Sequence, residues 1–220
     1  MNNLNQLILS FDYEQNFRNL DFYVSRSNAH IYNLINNWSI RNEKFLNIIG
    51  EKFCGKSHLI NIFLEKNKGL KIMSDELSNN FLKDIKSYQN VILEDLTTNV
   101  NEKLFYSLIN IIEAENKNLI VTSEVSIVNL NFKLSDLKSR SRNFTLTSIE
   151  NPDDDLMFAL ILKNLSDRQI SIDKKLIDYI IKRIHRSYSN ISDFIYKIDQ
   201  LSLKKKKSID FKIIKEALGD

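Results

Sequence analysis

Short apolar or β-branched runs alternate with stretches of helical period over the first two thirds of the chain. Residues 46–49, 70–73, 91–93, 119–122 and 144–148 read as strands. The third, fourth and fifth runs lack strict alternation, which predicts strands covered on both faces. Between them Phe81, Leu82 and Ile85, then Leu104, Leu108, Ile111 and Ile112, recur at helical spacing. Strand and helix taking turns predict an α/β class with a parallel five-stranded sheet. Ligands of such sheets bind beyond the carboxyl ends of the strands.

The pattern changes at Asn151-Pro152-Asp153-Asp154-Asp155. A proline near the first helical position, with carboxylates in the first turn, signals a helix start. No further strand follows. Leu176, Ile177, Ile180, Ile181 and Ile184 form one helical stripe. Ile191, Ile195, Ile198 and Leu201 form a second, and Phe211, Ile214 and Leu218 a third. The expected organisation is an N-terminal peptide and linker (1–14), an α/β core (15–150) and a small α-helical domain (151–220).

One segment changes the picture most. Gly50-Glu51-Lys52-Phe53-Cys54-Gly55-Lys56-Ser57 satisfies G-x-x-x-x-G-K-[ST], the phosphate-binding loop. Glycine lets backbone N–H groups converge on phosphate, and the helix N-terminus beyond adds orphan donors and a favourable dipole. Lys56 would neutralise the β- and γ-phosphates, and Ser57 would place its hydroxyl on Mg²⁺. The chain holds only 4 glycines, and two of them occupy the two required positions, so a chance match is improbable. The expected cofactor is ADP or ATP with Mg²⁺.

Such a loop needs an acidic partner at a neighbouring strand end. Val91-Ile92-Leu93-Glu94-Asp95 supplies one, with Glu94 as the metal-side acid and Asp95 placed to hold an attacking water. The order Glu-Asp inverts the usual arrangement of strong ATPases and argues for weak intrinsic hydrolysis. Thr122 and Ser123 end the next strand, where a hydroxyl either senses the γ-phosphate or is satisfied within the sheet. Lys138, Arg140 and Arg142 precede the last strand and read, from spacing alone, as a solvated basic turn. An arginine there also suits phosphate contact, including contact in trans.

Composition excludes more than it assigns. At 220 residues the chain can bury a real core, and 43% hydrophobic with 27% charged residues is globular usage. A net charge of +3 does not by itself argue for nucleic acid. The single Cys54 excludes an internal disulfide and suits a reducing cytoplasm. Three scattered histidines offer no metal-ligand spacing, and no segment reads as a secretion signal or a membrane span.

Taken together, these segments resemble the AAA+ module of the bacterial initiator DnaA and its short relative Hda, over essentially the whole chain. Asp21-Phe22-Tyr23-Val24-Ser25-Arg26-Ser27-Asn28 resembles the family's adenine-packing segment, which implies nucleotide contact by Phe22, Tyr23, Val24 and Asn28. Ser25 replaces a usual glycine. Glu94-Asp95 fall at the Walker B position and Ser123 near sensor 1. Leu137-Lys138-Ser139-Arg140 resembles the family's arginine-finger motif, which implies a catalytic role for Arg140. In the sensor 2 region Ser189 stands where an arginine is usual, and Arg186, one turn earlier, is the candidate substitute. Gln6-Leu7-Ile8-Leu9-Ser10-Phe11 resembles the peptide that docks on the bacterial sliding clamp, with Gln6, Leu7, Leu9 and Phe11 as its contacts. A short N-terminal strand would show the same alternation.

The resemblance implies a cytoplasmic, nucleoid-associated regulator of replication initiation. It would dock on the DNA polymerase sliding clamp and stimulate ATP hydrolysis by DnaA. The chain ends at the lid, so the expectation is a protein without DnaA's origin-reading domain. The alternative is an autonomous ATPase of the DnaA or helicase-loader type. A homodimer stays open. The lysine run 204–207 reads as a solvated loop, with non-specific duplex DNA contact as the other reading.

Overall fold

The computed structural model describes residues 22–38 and 43–219. Its elements run α1 (Ala29–Asn36), β1 (Phe45–Ile49), α2 (Lys56–Lys66), β2 (Gly69–Met73), α3 (Asn79–Asp84), β3 (Asn90–Leu96) and α4 (Glu102–Ala114). They continue as β4 (Asn118–Ser123), α5 (Ser135–Ser141), β5 (Thr145–Ser148), α6 (Asp154–Asp167), α7 (Lys174–Ile181), α8 (Tyr188–Lys205) and α9 (Phe211–Leu218). All five strands are parallel and lie in the order β2-β3-β4-β1-β5.

The apolar runs become strands because both faces of the sheet centre are covered. Leu46, Ile48, Ile92 and Ile120 pack on one face against Ile31 and Ile35 of α1 and Leu59, Ile60 and Phe63 of α2. Their sequence neighbours Phe45, Val91, Leu93, Leu119 and Val121 point the other way. These meet Phe81 of α3, Phe105 and Leu108 of α4 and Leu137 of α5. Continuous apolar strands follow from that sandwiching. β5 differs from expectation. It pairs with β1 alone, so it is an edge strand, and Leu146 is 43% exposed while Ser148 faces solvent. Nothing in the run Phe144-Thr145-Leu146-Thr147-Ser148 tells an edge from a centre, because edge position is a property of topology.

The helices after residue 150 have their own core. Met157, Ile161 and Leu165 of α6 meet Ile177 and Ile180 of α7, Ile195 and Ile198 of α8, and Ile213 and Ile214 of α9. Leu156 and Tyr188 instead join the core on the α2 side of the sheet, which anchors these helices to the body. The helix start lies slightly later than the proline suggested. Asp153 is the N-cap of α6, and Pro152 precedes it. The Asp153 carboxylate accepts Leu156 N at 2.8 Å and, from the segment before α1, Ser27 N at 3.2 Å.

Burial alone would raise the Asp153 pKa, but the hydrogen bonds from Leu156, Ser25 and Ser27 outweigh it and hold the carboxyl below its ordinary value. A depressed folded pKa contributes stability that is present above the unfolded value of about 3.9 and is lost as pH falls through the folded one. Asp153→Ala is therefore expected to lower unfolding free energy by about 1–2 kcal/mol at neutral pH. That gap should narrow in acid, while Asp153→Asn, which keeps the accepting oxygen, should lose less. Urea titrations at about pH 7 and about pH 3 check it.

Candidate phosphate-binding site

β1 runs into a loop that folds back on itself before α2. The reversal leaves no room at Gly50: a Cβ there would lie 2.5 Å from the Cys54 sulfur. Gly55, the residue before α2, has φ +96°, which a side chain resists. Gly50 N donates to Ser123 O at 3.1 Å, fastening the loop to β4. Inside the turn the Lys56 ammonium is buried and donates to Gly50 O at 2.8 Å and Glu51 O at 2.9 Å. Ser57 follows in the first turn of α2 and is partly exposed. Cys54 is a free, buried thiol, and desolvation pushes its pKa up to about 11, so it is inert at neutral pH.

Glu51, inside the loop, was not among the residues that sequence reasoning singled out. Its carboxylate accepts Tyr188 N at the start of α8 and Ser189 Oγ at 3.1 Å. A carboxylate at a helix N-terminus satisfies an orphan donor and suits the dipole. Ser189 thus contacts the phosphate loop itself. Tyr188 OH donates to Glu150 O at 3.1 Å, and burial pushes its pKa well up. Arg186 lies elsewhere, in an exposed ion pair with Asp154 at 2.8 Å.

The segment before α1 divides its labour. Phe22 stacks on Tyr32 with centroids 5.6 Å apart, meets His58 of α2 edge-on at 5.2 Å, and approaches Gly55. Tyr23 and Val24 are exposed, 50% and 42%. Asn28 is buried: it accepts Ser25 N at 2.8 Å and donates to Tyr23 O at 2.9 Å. Its position supports the turn that presents Tyr23 and Val24.

At the end of β3 the two acids separate. Glu94 is 3% exposed, and its Oε2 lies 3.1 Å from Lys71 Nζ on β2. Oε1 is buried with no hydrogen-bond partner. Asp95 is exposed, at φ +50°, within an irregularity of the β3–β4 ladder. Its backbone is pinned by Thr122 Oγ1, which accepts Asp95 N at 3.0 Å, and by Ser74 Oγ, which donates to Asp95 O at 2.7 Å. Ser123 is fully buried and its hydroxyl accepts Asn47 Nδ2 at 2.8 Å, while Asn47 Oδ1 accepts Ile127 N. Of the two readings for this strand end, satisfaction within the sheet describes Ser123.

The Ser57 hydroxyl and the partnerless Glu94 Oε1 are hard oxygen donors of the kind Mg²⁺ takes, so the residues fit that ion with nucleotide phosphates completing its shell. Among the described residues no cluster of three or more His, Cys, Asp or Glu forms a separate metal site. Arg140, on α5, pairs with Glu113 of α4, both partly exposed. Gln6, Leu7, Leu9 and Phe11 lie outside the described residues. Among the described residues no helix is long and apolar enough to cross a membrane.

No protein-family model matches the chain. It is similar to the chromosomal replication initiator protein DnaA of Lachnoclostridium phytofermentans, 24% identical over 222 residues that take in 90% of this chain and 47% of that protein. An uncharacterised protein of Haemophilus influenzae is 23% identical over 212 residues, 90% of this chain and 92% of its own. The chain spans about half the length of the DnaA proteins it matches. In structure it is similar to domain III of Thermotoga maritima DnaA, with TM-score 0.71, 16% identity and coverage of 93% and 96%. AMPPCP-bound DnaA from Aquifex aeolicus gives TM-score 0.64 at 20% identity, covering 83% of this chain and 65% of that one. The fold is the α/β AAA+ fold, a five-stranded parallel sheet followed by C-terminal helices. The chain is thus distantly similar to DnaA in sequence and shares the fold of DnaA domain III.

The close approach at Gly50 has a measurable signature. Gly50→Ala is expected to destabilise the protein by about 1–3 kcal/mol through overpacking against the Cys54 sulfur. Adding Cys54→Ala removes that sulfur and should recover at least about 1 kcal/mol as coupling in a double-mutant cycle of denaturant unfolding. Strict additivity would show that the two residues do not press on one another.

Proposed function

We propose that this protein is a nucleotide-binding regulator of chromosomal replication initiation, which docks on the sliding clamp and promotes ATP hydrolysis in a DnaA partner. The observation that carries the reading is a complete phosphate loop beside an Asp95 that the β3 irregularity turns out to solvent. Such a chain holds a nucleotide well and hydrolyses it poorly.

In this reading the loop N–H groups and Lys56 hold the phosphates of ADP or ATP, with Tyr23 and Val24 against the base. Ser57 and Glu94 would hold magnesium, which would supply charge neutralisation to the phosphates. Helices α6 to α9 act as the lid, and Glu51 with Ser189 joins it to the loop. Arg186 sits in an exposed pair with Asp154, which leaves it as free to change partners as Arg140. The catalytic group is Arg140, directed not at the chain's own nucleotide but at the ATP of DnaA. Its pairing with Glu113 does not oppose this. Both side chains are partly exposed, and such pairs contribute only about 0–1 kcal/mol, which a triphosphate readily outcompetes. A clamp peptide containing Gln6, Leu7, Leu9 and Phe11 would raise the local concentration of Arg140 near DnaA on DNA.

The test is ATP hydrolysis by DnaA, with and without clamp loaded on duplex DNA and with and without this protein. Stimulation should require all components. Arg140→Ala should reduce it at least tenfold, since an arginine supplied in trans contributes about 10³–10⁵ in GTPase systems. Gln6→Ala with Leu7→Ala should remove the dependence on clamp. Rapid turnover by the protein alone would instead support the autonomous ATPase.

A further inference from the structure

Glu94, the acid expected on magnesium, already has a cation. Ile92 and Glu94 share the α2 face of the sheet, and Lys71 lies diagonally across on the edge strand β2, in register with Ile92. The Lys71 ammonium stands 3.1 Å from Glu94 Oε2 and donates to Asn61 Oδ1 of α2 at 3.2 Å. The lysine side chain is 36% exposed and the glutamate side chain 5%. A carboxylate this far out of water needs a counter-charge, and a tethered ammonium supplies it without dissociating. Oε1 remains buried and without a partner.

We propose that Lys71 is a built-in counter-ion on Glu94, which takes over much of the charge neutralisation that magnesium would supply and makes nucleotide binding only weakly dependent on it. The inference rests on the phosphate-loop reading and on no partner. Its physics is competition for one carboxylate. With Lys71 in place, a divalent ion meets a neutral pair and gains little. Without Lys71, the same buried charge repels the phosphates when no metal is present and attracts the ion when it is. At a few ångströms and an effective dielectric near 20, one unit charge alters binding by tenfold or more. The ligand class favoured is a nucleoside diphosphate retained without bound metal.

The experiment titrates a fluorescent ADP analogue into the full chain, once with excess magnesium and once with EDTA. The readout is the ratio of the two dissociation constants. Wild type should show a ratio below about threefold, and Lys71→Met a ratio of at least about tenfold. Lys71→Arg should restore the wild-type ratio, which loss of mere packing would not predict. Lys71→Met with Glu94→Gln should lower it again, because the uncompensated charge is gone. Should Lys71→Met fail to fold, Lys71→Gln, also uncharged and polar at a partly exposed edge position, gives the same comparison. Equal ratios in wild type and the uncharged variants overturn the proposal, as does a large ratio in wild type. No nucleotide binding by wild type in either buffer overturns the phosphate-loop reading with it.

Discussion

A buried ammonium organises this molecule. Lys56 is 7% exposed, and an amine taken that far from water has to be hydrogen-bonded. The carbonyls of Gly50 and Glu51 do this, and they converge only because the chain reverses sharply between them and α2. That reversal requires a residue without a Cβ at Gly50 and a left-handed one at Gly55. It also sends the Glu51 side chain toward α8. One satisfied charge therefore fixes the loop, the cysteine packed inside it and the start of a helix more than a hundred residues later.

The C-terminal helices are joined to the sheet by two different kinds of contact. Leu156 and Tyr188 bury apolar surface in the core around α2, which sets proximity but not angle. Direction comes from polar links: Glu51 to α8, Tyr188 to Glu150, and Asp153 to Ser27. The first of these originates in the phosphate loop, and the last in the segment that presents Tyr23 and Val24. Any group that draws Lys56 away from the Glu51 carbonyl acts on the residue whose carboxylate accepts the first N–H of α8. The loop and the C-terminal helices are thus linked through a backbone atom and a side chain of the same residue.

Much of this was legible in the chain. All five strands and the stripes of α4 and α7 to α9 follow from apolar periodicity, because burial on one or both faces is what that periodicity records. The phosphate loop was legible from spacing, because glycine and lysine are required at fixed steps. What could not be read was anything that depends on two distant strands or helices meeting. Lys71 reaches Glu94 across β2 and β3, Asn47 reaches Ser123 across β1 and β4, and Glu51 reaches α8. Each is an unremarked polar residue in sequence and acquires a role only from topology. The exposure of β5 belongs to the same class. Asn28, bonded to Ser25 and Tyr23, and Arg186, in a surface pair with Asp154, likewise have partners that the sequence does not reveal. A charged residue inside a phosphate loop, as Glu51 is, was the one signal that could have been followed.

Lys56, Glu94, Arg140 and Glu113 differ in how freely they can change partners. Lys56 and Glu94 are buried, and each is held by groups whose loss would strand a charge out of water, at a cost of several kcal/mol. Arg140 and Glu113 are partly exposed, and water replaces either partner cheaply. Desolvation therefore locks Lys56 and Glu94 in place and leaves Arg140 mobile. Asp95 is held as well, at a positive φ, by the bonds its backbone makes to Thr122 and Ser74. Arg140 and Arg186, each in a surface ion pair, keep the freedom to exchange partners that the buried charges lack.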